Sequence, residues 1–545
     1  MLGVGGAKGA IVRTVRSGRY PVLILSIVLS FLILHNTRGQ EQTAQRSAAM
    51  PAVDRGLVAR VYRAPDSPEA RVRESIRSLN GPPERVGASG ARYVAGKLIV
   101  KFRAGTSSTA RVSALSATRA RASEQPSSAD FEIVNIDPTE DAEAAAAALA
   151  IRAGVEYAQP AYRVRAYFRP NDPLYSKQWN LPDIDMEHAW DIQPAAGSTI
   201  TVAVLDTGVA YTSTTRSYRA STFRVDADGD VFVGGSSGTL YPALGNLSLS
   251  FVAAPDLGPS SRFVAPRDFI WDTTVPVDLD GHGTHVSGTI GQTTNNNMGV
   301  AGVAFNVKLM PVKVIDSDWD VIFGSPNTGT DDTVARGIRY AADNGAQVIN
   351  MSIGRTGPAR SAPVVEDAIR YAVGKGVFVA IAGGNGFEDG NETEVYAEIA
   401  NRVQGAVSVA ATDRNHNRAF YATTGGYLEL AAPGGSFRGF GDEGGILQQT
   451  LDLDLVETFT SPPSRFIAPR FDAVAYFYFT GTSMATPHVA GVAAMLIQQG
   501  ITSPAAIEAA LEKFATDLGT PGRDDEFGFG EVQARNTLRG LGLAR

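Results

Sequence analysis

Apolar residues recur along this chain with two periods, and the points where the period changes predict its elements. Residues 97–102 and 131–136 read as strands, 110–120 and 141–152 carry helical spacing, and 155–168 reads as extended again. The 141–152 segment is alanine-rich with an acidic start, which favours helix and suits the positive end of its dipole. Beyond residue 169, strand and helix patterns alternate. Strands are predicted at 200–206, 306–315, 347–352 and 377–385, and helices at 332–344, 364–374 and 483–499. Such alternation predicts an α/β fold, a mostly parallel twisted sheet with helices on both faces, preceded by a small α+β domain. Pro487 falls early in the last helix, where a missing N–H is tolerated.

Two stretches lack this patterning. Residues 40–91 are rich in Ala, Arg, Pro, Ser and Glu without sustained periodicity and read as a disordered linker. Ahead of them, Lys8, Arg13, Arg16 and Arg19 precede the uncharged apolar run 21–34. That run is short against the roughly 20 residues of a spanning helix, and a basic region followed by a short apolar core is a secretory pattern. Residues 1–39 are therefore expected to be a signal peptide or signal anchor. The expected location is secreted, or periplasmic and cell envelope, with membrane attachment where the segment stays uncleaved. A core helix is the competing reading, disfavoured by the charge asymmetry.

Composition removes several classes. The 545 residues include no cysteine, which excludes a disulfide framework, a thiol nucleophile and zinc–thiolate sites. A net charge of -7 offers no basic footprint for nucleic acid.

The candidate chemistry sits at element ends. Ser483 lies in Thr480-Gly-Thr-Ser-Met-Ala-Thr-Pro487, just ahead of an apolar run. A serine hydroxyl becomes a useful nucleophile only with a base to take its proton and a third group to orient that base. His282 stands in Asp280-Gly-His-Gly-Thr-His285, and Asp206 ends the apolar, β-branched run 200–205. Ligands of open α/β sheets bind beyond the carboxyl ends of the strands, which suits Asp206 to chemistry. A second buried strand ends in Ala382-Gly-Gly-Asn385, offering a side-chain amide. Each residue has a bland alternative: Asp206 a turn former, His282 a structural histidine, Asn385 a left-handed turn, Ser483 a helix cap.

Together these blocks, in the order Asp206, His282, Ser483, resemble the subtilisin-like serine proteases. The resemblance implies a serine endopeptidase with catalytic Asp206, His282, Ser483 and Asn385, the last an oxyanion donor beside the Ser483 N–H. His285, three residues on from His282, is expected to pack or to hydrogen-bond within its helix. The resemblance also implies a substrate-binding strand at Ser352, Ile353 and Gly354, and a pocket wall of Ala382, Gly383 and Gly384. Residues 92–168 resemble the family's inhibitory propeptide, so a zymogen inhibited by its own propeptide is expected, with 169–545 catalytic. Insertions are expected at about 210–272 and 434–475. Processing is expected between Arg165 and Pro170, with Tyr167 or Phe168 in the first pocket. That tail, and the uncharged Gly386, imply a preference for large apolar residues in protein or peptide substrates. Calcium is implied by the loop 293–300, with Asp172 and Asn296 as ligands. Residues 226–230 also offer carboxylates but lack the spacing of an EF-hand. The phrases 261–267 and 464–470 are near repeats, read as paired arms flanking the cleft. A non-proteolytic acyl hydrolase or transferase, and a silent peptide-binding protein, remain the competing functions.

Overall fold

The computed structural model describes residues 84–86, 92–127, 129–164, 168–226, 231–234, 236–456 and 468–540. The expected signal segment, nearly all of the linker, residues 165–167 of the cleavage window, residues 227–230 and residues 464–467 lie outside them. The described residues fall into two compact units, one ending at Phe168 and one beginning at Arg169.

The first unit is an antiparallel sheet of Glu84–Val86, Arg92–Phe102, Arg121–Glu124, Glu132–Asn135 and Val155–Tyr162, with helices Ser108–Ser116 and Ala142–Ala150. Alternation along the longest strand buries Leu98, Val100 and Phe102 against Val134, Ala146 and Leu149. Asp141 caps its helix by accepting from the N–H groups of Glu143 and Ala144. The helix predicted over 110–120 ends at Ser116, and Arg121–Glu124 follows as an edge strand. That strand carries no apolar alternation, so pattern alone does not find it.

The second unit is built on a seven-stranded sheet. Its strands are β1 (Thr201–Asp206), β2 (Arg267–Asp268), β3 (Lys308–Lys313), β4 (Val348–Met351), β5 (Phe378–Ala382), β6 (Ala406–Thr412) and β7 (Leu430–Pro433). They lie in the order β2-β3-β1-β4-β5-β6-β7, every pair parallel. β4, β5 and β6 are buried at every residue, as strands covered on both faces must be. Helices α2 (Asp331–Asp343) and α3 (Pro363–Gly374) cover one face, where Ile338, Val365 and Ile369 pack on Leu205, Ile349 and Ile381. Two further helices, α1 (His282–Gly291) and α4 (Thr482–Gln498), pack together, and α4 lies along β4, β5 and β6. The strand order reverses around β1, so the carboxyl ends of β1, β4 and β5 open a crevice. Asp206, Ser352 and Asn385 stand at or just beyond those three ends.

Antiparallel ribbons form in both regions expected to hold insertions, Thr214–Ala220 with Gly245–Phe251 and Ile446–Leu451 with Val474–Phe479. They meet where Val252 N–H donates to the Phe471 carbonyl at 3.1 Å and the Phe251 and Phe471 rings stack 5.1 Å apart. In the first near-repeat phrase, half-buried Arg262 donates to the carbonyls of Leu257, Phe305 and Val307.

Candidate active site

Asp206 is fully buried at the end of β1, and its Oδ1 accepts from the Thr207 N–H and from His282 Nδ1, each at 2.7 Å. With a carboxylate accepting from Nδ1, the proton of the neutral ring sits there and Nε2 holds the basic lone pair. Backbone packing makes the approach: a Cβ on Gly283 would lie 2.2 Å from the Gly208 carbonyl and 3.0 Å from Asp206 Cβ. Burial disfavours the imidazolium, but the charge and hydrogen bond of Asp206 outweigh it, and the His282 pKa is raised above its ordinary value.

A second aspartate holds this corner. Asp278 is buried; its Oδ1 accepts from Thr207 Oγ1 and the N–H groups of Asp280 and Gly281, and its Oδ2 from the Thr284 N–H and Oγ1. It thereby gathers the free N–H groups at the start of α1 and ties them to the residue after Asp206. Sequence reasoning passed over it, although an acid just ahead of a helix start is a capping signal.

Ser483 is the second residue of α4. Its N–H has no acceptor among the described residues, and its Oγ donates to the Ser352 carbonyl at 3.0 Å rather than to His282. Asn385 Oδ1 accepts from the Thr482 N–H at 2.9 Å and Thr482 Oγ1 at 3.0 Å. A backbone N–H can bond only the amide oxygen, so the Asn385 NH₂ faces the other way and stays uncommitted among the described residues. Thr482 Oγ1 also accepts from the Gly384 N–H at 3.1 Å, which fixes the Gly383-Gly384-Asn385 turn to the helix start. A nucleophile, two nearby free N–H donors and an oriented imidazole form a set suited to acyl transfer.

His285 packs as a buried ring rather than bonding within its helix. Its Nε2–H is shared between the carbonyls of Ile446 and Phe477, 3.0 and 3.1 Å away, and its ring stacks on Phe479. Burial lowers its pKa to about 3, so it pins the second ribbon to α1 as a neutral ring. His488 is likewise buried; it bonds the Met484 carbonyl and Asn180 Nδ2, and burial lowers it to about 4.

Of the two expected calcium ligands, only Asp172 presents a carboxylate. Asn296 Oδ1 accepts from the Met298 N–H, and its Nδ2 donates to Asp256 Oδ1 at 2.7 Å. Asp172 accepts from the Asn295 and Asn296 N–H groups, and burial pushes it up to about 6, with Asp256 adding to the effect. Two buried carboxylates, Asp172 and Asp256, thus bond the same Asn-rich loop, and Asn296 links them, its N–H donating to Asp172 and its Nδ2 to Asp256; oxygens of this kind suit a hard dication in charge.

A family model described as "Subtilase family" matches residues 197–530, and one described as "Fervidolysin N-terminal prodomain" matches residues 81–161. The chain is 29% identical over 450 residues to the thermophilic serine proteinase of Bacillus sp. (strain AK1), covering 82% of this chain and 88% of that protein. It is 31% identical over 356 residues to thermitase of Thermoactinomyces vulgaris, covering 65% of this chain and 94% of that one. Among solved structures, fervidolysin from Fervidobacterium pennivorans aligns at 23% identity and a TM-score of 0.49, over 82% of this chain and 61% of that one.

Proposed function

Because this chain belongs to the subtilase family and is a serine endopeptidase carrying an N-terminal prodomain, we propose that Asp206, His282 and Ser483 are its catalytic triad and Asn385 its oxyanion donor. The observation that carries this reading is the 2.7 Å bond from His282 Nδ1 to a buried Asp206. It directs Nε2 to proton transfer.

Rotation about χ1 releases Ser483 Oγ from the Ser352 carbonyl to His282. Oγ then attacks the scissile carbonyl as Nε2 takes its proton, and the imidazolium returns that proton to the leaving amine. Asp206 stays ionised and stabilises the imidazolium. The developing oxyanion is met by the Ser483 N–H and the Asn385 NH₂. Water then cleaves the acyl-enzyme by the same steps in reverse roles. Ser352, Ile353 and Gly354 take the substrate backbone as an added strand, and Ala382, Gly383 and Gly384 wall the first pocket.

Residues 92–168 act as the inhibitory propeptide of a zymogen and 169–545 as the catalytic domain. Residues 1–39 direct export. Among the described residues no helix is long and apolar enough to cross a membrane. Calcium held by Asp172 and Asp256 would supply positive charge that two buried carboxylates otherwise lack.

Ser483→Ala is expected to lower turnover of a peptide substrate by a factor on the order of 10⁶ and to abolish labelling by a fluorophosphonate. Retained proteolysis in that variant would overturn the assignment. An esterase that spares peptides is separated by comparing peptide and ester turnover of the wild-type chain.

A further inference from the structure

We propose that the Glu394 carboxylate forms the floor of the pocket that takes the substrate side chain on the acyl side of the scissile bond, and that it selects lysine or arginine there. This rests on Ser483 being the nucleophile.

The placement follows from contacts at the start of α4. Ser352, whose carbonyl holds the Ser483 hydroxyl, leads in two residues to Gly354. Asn385, bonded to Thr482, is preceded by Gly384. Both glycines face Glu394. A Cβ on Gly354 would lie 2.2 Å from Glu394 Oε1, and a Cβ on Gly384 would lie 3.1 Å from Glu394 Cβ. The Glu394 side chain therefore lies between the two glycines. Any residue larger than glycine at 354 would collide with the carboxylate.

Glu394 is 2% exposed, and its Oε1 accepts from the Arg355 N–H. It precedes the short helix Val395–Ala400, but its side chain makes no capping bond there. No cation pairs with it among the described residues. The nearby Arg355 guanidinium is turned away, held by two bonds to Asp331 at 2.9 and 2.8 Å. Burial pushes the carboxyl up to about 7, although the Arg355 N–H and the Arg355 charge pull the other way. A lysine or arginine side chain entering between the glycines would bring a counter-charge at its tip, with its alkyl stem against the apolar walls. A phenylalanine or leucine would desolvate the carboxylate further and offer it nothing.

The expected apolar preference leaned on the uncharged Gly386 and on the Tyr167-Phe168 tail, and a Cβ at Gly386 would meet nothing within 4 Å. The chain also offers its own basic residues: Arg163 and Arg165 stand ahead of the boundary between the two units.

The experiment uses the processed full-length product and peptides that differ only in the residue before the cleaved bond. Lysine and arginine peptides are expected to exceed phenylalanine, leucine and alanine peptides in kcat/KM by about 100-fold. Glu394→Gln is expected to remove most of that advantage. Benzamidine is expected to slow fluorophosphonate labelling of the wild-type chain, a readout that needs no variant. Preference for phenylalanine or leucine overturns the proposal. So does preference for alanine, which would make Glu394 a plug, and so does indifference to benzamidine. A wild-type chain that takes no fluorophosphonate label at all fails the nucleophile assignment instead.

Discussion

Ser352 and Ser483 bond each other twice: the Ser352 hydroxyl donates to the Ser483 carbonyl at 2.8 Å, and the Ser483 hydroxyl donates to the Ser352 carbonyl at 3.0 Å. Pro487 is the cause. It is the sixth residue of α4, past the first turn, and it lacks the N–H that would have bonded the Ser483 carbonyl four residues back. The Ser352 hydroxyl takes the place of that missing donor.

Ser352→Ala should therefore orphan a part-buried carbonyl next to the nucleophile. The expected loss is about 1–2 kcal/mol in stability and roughly tenfold in kcat/KM. Urea melts and peptide kinetics check it, and an unchanged melt would show that water replaces the hydroxyl.

The Asn385 oxygen bonds Thr482 while its NH₂ is the proposed oxyanion donor, and the two roles can be separated. Asn385→Asp keeps an oxygen for the Thr482 N–H but removes the NH₂. It should fold normally while kcat falls by about 10²–10³ with little change in KM. Wild-type kcat in that variant would remove Asn385 from the oxyanion site.

The pH profile should report His282. Burial works against its imidazolium, yet Asp206 prevails and raises the pKa above 6.5. The base must be neutral, so kcat/KM should climb with pH through that raised value and fall about tenfold per unit below it. Asp206→Asn should move the limb to lower pH as well as cutting kcat by about 10⁴.

His285 and His488 have folded pKa values of about 3 and 4, depressed by burial. The unfolded chain binds protons first as pH falls, so the stability these two rings contribute is present above about 6.5 and is lost toward pH 4. Imidazole NMR should show both still neutral at pH about 5.

Removing calcium with a chelator should lower the thermal midpoint by about 5 °C. Asp256→Asn should abolish that sensitivity. A midpoint indifferent to chelator in the wild-type chain would dismiss the dication.

The amino-acid order alone was enough for four of the seven strands and for the site motifs. β1, β4 and β5 are covered on both faces, so they are near-continuous apolar runs, and Asp206 and the Gly383-Gly384-Asn385 turn announce where such runs end. Helices α2 and α3 are amphipathic and fall within two residues of their predicted bounds. Folding in three dimensions decided what distant side chains do to one another. Glu394 reads as an ordinary surface acid until Gly354 and Gly384 close on it from 40 and 10 residues away. Asn296 reads as a metal ligand, and only folding shows its oxygen bonded to the Met298 N–H and its NH₂ to Asp256. Asp278 reads as a loop residue until it collects the N–H groups at the start of α1. Periodicity records which face of an element meets the core, a local property. Partner choice and burial of a polar group depend on segments brought together only by folding, and no local pattern encodes them.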